Sequence, residues 1–366
     1  MKNLSFPFFR VEGSPFDVGL QHGTLTRERI QKSMDIYRKA FLELGKLQWN
    51  QALRIAKSFV PTIQEYDVEA LEEVKGIAEG AGCRIEEIIA LNSRTEIMFS
   101  AGKLSTLLDG CTTVCVLPER SATGNTILAQ NWDWKPSCEG SAILLEKRMR
   151  KGVSSFNFIE AGMVARIGMN SAGIGSAGNY LETDKDGKTP GVPIPFIKRK
   201  ILSSRHISQA IKAVTNSKRG SSTNYMIGYR QGFAIDIEVT PDELYVLYPQ
   251  DGLLVHTNHF LSPNFKAQDI SRSRITDTLY RNWRLERILS SKTGKIGVDD
   301  LKKAFSDHFG YPYSICRHYD IHSEGLEGIQ TNGSIIMDLN SGEIEFAAGR
   351  PCESGYKSFR FEVNLI

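Results

Sequence analysis

The chain has 366 residues, 41% hydrophobic and 24% charged, which is material for one large domain or two ordinary ones and excludes a disordered chain. Lys and Arg number 45 against 42 Asp and Glu, a formal net charge of +3 that gives no electrostatic reason to expect nucleic acid or an anionic membrane as partner. No run approaches the roughly 18 consecutive apolar residues of a membrane-spanning helix.

At the N-terminus, MKNLSFPFFRVEG is apolar too briefly for a secretion signal and lacks a small-residue cleavage site. From Pro15 to Leu44, Val18, Leu20, Leu25, Ile30, Met34, Tyr37 and Phe41 recur at three- and four-residue intervals, which predicts an amphipathic helix. Ala52–Val60, Val68–Ala78 and Ile85–Phe99 read the same way. Near residue 110 the pattern turns to strands. CTTVCVLP is short and β-branched, ATGNT supplies a turn and TILAQNWDW resumes the extended run, together a hairpin. Further strands are expected at AILLEKRM, SSFNFIEA, NYMIGYR, FAIDIEV, ELYVLYP and GLLVHTN, and closing ones at SIIMDL, IEFAAG and FRFEVN. Helices are expected at Ile207–Val214, Ile275–Leu289 and Val298–Phe309, and a loop at Leu181–Gly191. The final FEVNLI matches no retention or peroxisomal address, so the expected location is cytoplasmic. Helices grouped before and between hairpin-joined strands predict one α+β domain over 1–366 with layered antiparallel sheets.

The six cysteines, Cys83, Cys111, Cys115, Cys138, Cys316 and Cys352, show no C-x-x-C spacing. No metal site is expected, and most of these thiols should be reduced, buried and small. The His256-x-x-His259 pair lacks a convincing third ligand, and on a strand its imidazoles face apart. Gly82-Cys83 lies between two helical patterns and fits a glycine C-cap with a half-buried cysteine. Gly110-Cys111 differs, because it falls where the helical part stops and the first clear strand begins. A glycine there could take a backbone conformation closed to other residues. A cysteine at the first strand position after such a segment suggests a self-cleaving precursor. Its thiol would attack the preceding carbonyl, and the released amine, with a pKa of roughly 8, would serve as base for its own side chain. The bland reading is a buried strand cysteine, which fits Cys115, on the same face as Cys111. A cysteine–histidine peptidase using His256 or His259 stands beside these readings.

The blocks DGCTTVCVLP, GNTILAQNWDW, EAGMVARIGMNSAGIGSAGNY, LLVHTNHF, YPYSICRHY and AAGRP, in that order, closely resemble the acyl-CoA:6-aminopenicillanate acyltransferase family of N-terminal nucleophile hydrolases. The resemblance runs from about Asp109 to Pro351, with helical similarity upstream at Val11–Gly23. It implies a four-layer αββα sandwich and cleavage between Gly110 and Cys111, giving an α chain 1–110 and a β chain 111–366; these should stay associated, because a layered core contributed by both would be lost on separation. It implies Cys111 as nucleophile, Asp133 as the group orienting an amine, and Asn258 as the oxyanion donor. Arg317 is a candidate substrate carboxylate partner, with a structural ion pair as the alternative. Asn170–Gly173 resembles a family turn, and NWDW with Tyr311 and Tyr313 could line an acyl pocket. The penicillin-forming member places an arginine where this chain reads HSEGLEG (His322–Gly328), so 6-aminopenicillanate is not the expected acceptor. The implied activity is acyl transfer from an amide or thioester to an amine, with acyl-CoA admitted as donor and no cofactor required. Release of the acyl group to water, as in an amidohydrolase, and an uncleaved binding protein are the alternatives.

Overall fold

The computed structural model describes residues 7–100, 110–323 and 328–364. It begins with β1 (Phe8–Gly13), followed by α1 (Pro15–Leu25), α2 (Arg27–Glu43), α3 (Trp49–Ser58), α4 (Val60–Tyr66), α5 (Val68–Ala81), α6 (Ile85–Asn92) and α7 (Arg94–Ser100). Ser14 opens α1 with a capping box: its hydroxyl accepts the Asp17 N–H at 3.2 Å, and Asp17 accepts the Ser14 N–H at 3.0 Å. The helix expected over Pro15–Leu44 is interrupted at Thr26, and that over Ile85–Phe99 at Ser93. At both breaks a hydroxyl turns back onto the carbonyl four residues earlier, Thr26 to His22 and Ser93 to Ile89, each at 2.7 Å. Such back-bonding competes with regular helix. Gly82 ends α5 in the left-handed region, and the half-buried Cys83 follows it, as expected.

Helices α1 and α5 meet backbone to backbone. A Cβ on Gly19 would lie 2.1 Å from Glu73 O, and one on Gly76 would lie 2.2 Å from Phe16 O, so only glycine allows this approach.

The remaining strands are β2 (Gly110–Val116), β3 (Ile127–Trp134), β4 (Ala142–Met149), β5 (Ser155–Glu160), β6 (Ile167–Asn170), β7 (Ile174–Ala177), β8 (Thr223–Tyr229), β9 (Phe233–Val239), β10 (Leu244–Leu247), β11 (Leu253–His256), β12 (Gln330–Asp338), β13 (Glu343–Ala348) and β14 (Tyr356–Arg360). Between them lie α8 (Ile194–Leu202), α9 (Ile207–Thr215), α10 (Ser271–Arg274), α11 (Asp277–Ser290) and α12 (Val298–Phe305). The strands form an eight-stranded sheet in the order β1-β4-β5-β6-β7-β8-β9-β10 and a six-stranded sheet in the order β11-β2-β3-β12-β13-β14. Strand β1 joins β4 in parallel, while β2 pairs antiparallel with both β3 and β11.

Contacts between elements give the layer order. Helices α1, α8 and α9 pack on the larger sheet, β3, β2 and β11 face β7, β8 and β9 across the sandwich, and α11 and α12 cover the outer face of the smaller sheet. This is the αββα order implied by the resemblance. Side chains of β2 alternate accordingly. Cys111 and Cys115 join the core between the sheets, whereas Val114 and Val116 pack with Leu285 and Leu289 of α11. Strands β1, β6 and β7 and helix α8 were not anticipated, and the last strand lies at Tyr356–Arg360, earlier than FRFEVN suggested. Asn170–Gly173 is the β6–β7 hairpin, with Asn170 Oδ1 accepting the Ala172 and Ile174 N–H groups. Among the described residues no helix is long and apolar enough to cross a membrane.

Candidate active site

Gly110 and Cys111 open β2, an interior strand of the smaller sheet, and register sets their neighbours: Gly110 lies opposite Asp133 and Cys111 opposite Trp132 on β3. Cys111 is 1% exposed. Its backbone N–H donates to Asn258 Oδ1 at 2.9 Å. Its carbonyl accepts from Arg281 Nη1 at 2.8 Å, and the same nitrogen donates to Thr112 Oγ1 at 3.0 Å. Arg281 Nη2 donates to Asn258 Oδ1 at 2.9 Å, and Nε to Asp277 Oδ2 at 2.7 Å. One buried guanidinium from α11 therefore ties together the Cys111 carbonyl, Asn258 and Asp277.

Asn258 is held at both ends of its amide. Two donors converge on Oδ1, which fixes the amide orientation, and Nδ2 donates to Tyr180 O at 3.1 Å. Asn258 thus holds the Cys111 nitrogen through its oxygen. Its backbone N–H donates to Thr278 Oγ1 at 2.6 Å, which anchors the loop after β11 to α11.

Asp133 and Arg317 come together. Asp133 Oδ1 accepts from Thr331 Oγ1 at 2.6 Å, and Oδ2 lies 3.4 Å from Arg317 Nε. Arg317 also donates to Asp277. Arg317 is thus ion-paired with both Asp277 and Asp133. Burial pushes Asp277 up, but Arg317 and Arg281 outweigh it and hold the carboxyl below its usual range. A Cβ on Gly110 would sit 3.0 Å from Arg317 Nε and 3.2 Å from Asp133 Oδ2. Gly110 is the first residue of β2 and pairs across the ladder with Asp133. Close approach of this ion pair is what favours glycine there.

The histidines are engaged elsewhere. His256 lies 2.9 Å through Nε2 from Glu238 Oε1 and 2.7 Å through Nδ1 from Thr257 O, while His259 Nδ1 lies 3.0 Å from Thr278 Oγ1. Trp132 and Trp134 are core residues, whereas Tyr311 and Tyr313 are exposed. Residues 324–327, within the stretch that lacks the family's arginine, lie outside the described residues, as does Asp109.

Sequence comparison places this chain among known proteins. The profile of the "acyl-coenzyme A:6-aminopenicillanic acid acyl-transferase" family matches residues 121–352. The "acyl-coenzyme A:6-aminopenicillanic-acid-acyltransferase 40 kDa form" of Emericella nidulans is 31% identical over 352 residues, covering 93% of this chain and 92% of that protein. The chain belongs to this acyltransferase family. As a member it is an enzyme of the acyltransferase or amidohydrolase type. An uncharacterized protein of Archaeoglobus fulgidus is 23% identical over 339 residues, covering 80% of this chain and 56% of that one. Among solved structures, a mutant conjugated bile acid hydrolase from Clostridium perfringens matches with TM-score 0.42 and 14% identity, over 70% of this chain and 98% of that one. Penicillin V acylase from Agrobacterium tumefaciens matches with TM-score 0.42 and 14% identity, over 65% and 83%.

The histidine environment of this acyltransferase-family chain carries a pH prediction. Burial pushes His256 down, but Asp236 and Glu238 outweigh it and raise its pKa to about 9, above the ordinary imidazole value. A raised folded-state pKa adds stability that is complete below the unfolded value and is lost as pH rises through about 9. The urea midpoint is therefore expected to fall between pH 7 and pH 10, and His256→Gln should flatten that fall. An equally steep fall in the variant would contradict the assignment.

Of the cysteines expected to be mostly buried, Cys316 is buried and Cys352 is exposed. Cys316 and Cys352 approach to 3.4 Å between sulfurs, and both lie near His318. Arg281, Asp277 and Thr331 were not identified from the sequence. The Asp277–Arg281 spacing of one helical turn was the available signal.

Proposed function

We propose that this chain is a self-processing cysteine N-terminal nucleophile enzyme that transfers an acyl group from an amide or thioester, through a Cys111 thioester, to an amine. The observation that carries the reading is the Cys111 nitrogen held at 2.9 Å by Asn258 Oδ1, at the head of an interior strand, with Gly110 against Asp133 and Arg317. In processing, the Cys111 sulfur attacks the Gly110 carbonyl. The C–N bond breaks, the nitrogen takes the thiol proton, and a thioester forms. Water then adds hydroxide to the Gly110 carbonyl carbon, the C–S bond breaks, and the leaving sulfur takes the remaining proton. The fragments 1–110 and 111–366 stay together because β1 pairs with β4 and α1 packs against β4 of the larger sheet.

In turnover the freed amine accepts the thiol proton as sulfur attacks the donor carbonyl, and passes it to the leaving amine or thiol. The Arg281 guanidinium in contact with Cys111 disfavours a second positive charge there and so keeps the amine available as base. The second Asn258 N–H faces the developing oxyanion, and Asp133 holds the acceptor's ammonium before it loses its proton. An acyl-CoA is among the donors, and the acyltransferase named in Emericella nidulans supports an amine rather than water as acceptor.

The test is to incubate the protein with acyl-CoAs and amides, quench in acid and map peptides. An acyl mass is expected on a peptide whose first residue is Cys111. Acyl adducts only on other residues, or on an internal Cys111, would overturn the reading. Gly110→Ala is expected to slow self-cleavage several-fold, read as precursor persisting in a time course, because its methyl displaces Arg317 or Asp133. Unchanged kinetics would separate that pair from processing.

A further inference from the structure

Beside the active-site cluster, four potential ligands from three segments converge. His308 follows α12, Cys316 and His318 flank Arg317, and Cys352 follows β13. Their ligand atoms all lie within 4.8 Å of one another. The sulfurs of Cys316 and Cys352 are 3.4 Å apart, and His318 Nε2 lies 3.4 Å from Cys352 Sγ, 3.9 Å from Cys316 Sγ and 3.1 Å from His308 Nε2. Four ligands set around one tetrahedral ion at ordinary zinc–sulfur and zinc–nitrogen lengths have edges of about 3.3–3.8 Å. The four edges given above, 3.1–3.9 Å, lie close to this range, and the remaining two are within 4.8 Å. A disulfide, by contrast, requires about 2.05 Å between sulfurs.

We propose that His308, Cys316, His318 and Cys352 bind one zinc ion as a closed, four-coordinate structural site. Two thiolates and two imidazoles suit zinc by ligand type and complete its tetrahedron, leaving no open position for chemistry. Binding releases the two thiol protons to solvent, so the two thiolates balance the dication. The other nitrogen of His318, Nδ1, faces Glu353 Oε1 at 3.8 Å, the kind of carboxylate that orients a metal-bound imidazole.

The ion would fix a segment that matters to the reaction site. Arg317 lies between two ligands, its N–H donates to Thr331 Oγ1 at 2.9 Å, and its side chain meets Asp133 and Asp277. Zinc clips this segment to the residues after β13 and makes the ligands positioning residues for Arg317. The metal site stands apart from the proposed acyl chemistry, and its position-holding role rests on that reading.

The experiment is zinc analysis of the full-length protein, grown with added zinc and freed of loose metal by gel filtration. About one zinc per chain is expected, falling to background in a Cys316→Ser/Cys352→Ser double variant and retained in Cys83→Ser. Cobalt in place of zinc should give tetrahedral d–d bands and a thiolate charge-transfer band. His308→Ala removes an exposed ligand with little risk to folding and should weaken those bands. Chelation of the wild type should lower its melting temperature, and the double variant should show no further drop on chelation. Background zinc in the wild type, equal zinc in wild type and double variant, or a Cys316–Cys352 disulfide in freshly purified protein would overturn the proposal. Zinc retained by a Cys111→Ala chain that neither cleaves nor turns over would leave the metal site standing by itself.

Discussion

Cys111→Ala is expected to reduce turnover to the uncatalysed background, a loss of about 10⁴-fold or more, because both the nucleophile and the acyl intermediate disappear together. Cys111→Ser should keep the geometry of β2 and retain a slow residual rate, since a hydroxyl is a weaker nucleophile whose proton the same amine can accept. Folding should survive both changes. Cys111 is buried among apolar neighbours, and loss of one sulfur from such a site costs at most a few kcal/mol. Equal activity of the Ala variant and the wild type, measured on the same donor, would place the nucleophile elsewhere. Comparable losses in His256 or His259 variants that still fold would favour the peptidase dyad instead.

Arg281→Met is expected to destabilise the protein by about 3–5 kcal/mol, as removal of one partner from a buried ion pair does. Arg281 is 0% exposed, and its hydrogen bonds reach Asp277, Thr112, Asn258 and the Cys111 carbonyl. Methionine fills much of the volume but leaves Asp277 with Arg317 alone and Asn258 free to turn. Processing should therefore slow in any fraction that folds, and Arg281→Lys should fall between the two, since an ammonium keeps the charge without the planar fork. Denaturant unfolding gives the stability change, and precursor decay gives the processing rate. A variant within 1 kcal/mol of wild type with normal processing would remove Arg281 from the account.

These two positions show how unevenly the site could be read from the sequence. Cys111 and Asp133 lie on adjoining strands of a hairpin, so a short-range pattern locates them, and β2–β3 register brings Gly110 opposite Asp133. Asn258 was legible as a site residue but not in its arrangement. Which amide atom faces Cys111 depends on Arg281 and Tyr180, which arrive from other elements. Arg281 itself sits in a helix whose Arg-rich sequence, RNWRLER, reads as solvated. Only packing of α11 on β2 and β11 buries it. Arg317 carried a choice between substrate contact and ion pair, and its pairing with Asp277 and Asp133 became visible only in the structure.

The fold followed the same division. Strands with strong local alternation, such as β2, β3, β8 and β9, were legible. Strand β1 depends on a parallel partner distant in sequence, and the short β6 and β7 flank a turn that dominates their local signal. The helix breaks at Thr26 and Ser93 were hidden because the apolar spacing continues across them. The four metal ligands were illegible for a related reason: Cys316-x-His318 is the only close spacing, and His308 and Cys352 join it through tertiary structure alone.

The measurement that bears most directly on self-release of Cys111 is the intact mass of freshly purified protein under denaturing conditions, beside the Cys111→Ala variant. The account predicts two wild-type species corresponding to 1–110 and 111–366, and a single full-length species in the variant. A wild-type chain that stays whole over days, with Cys111 unlabelled by a thiol reagent, would contradict it and favour an uncleaved binding protein.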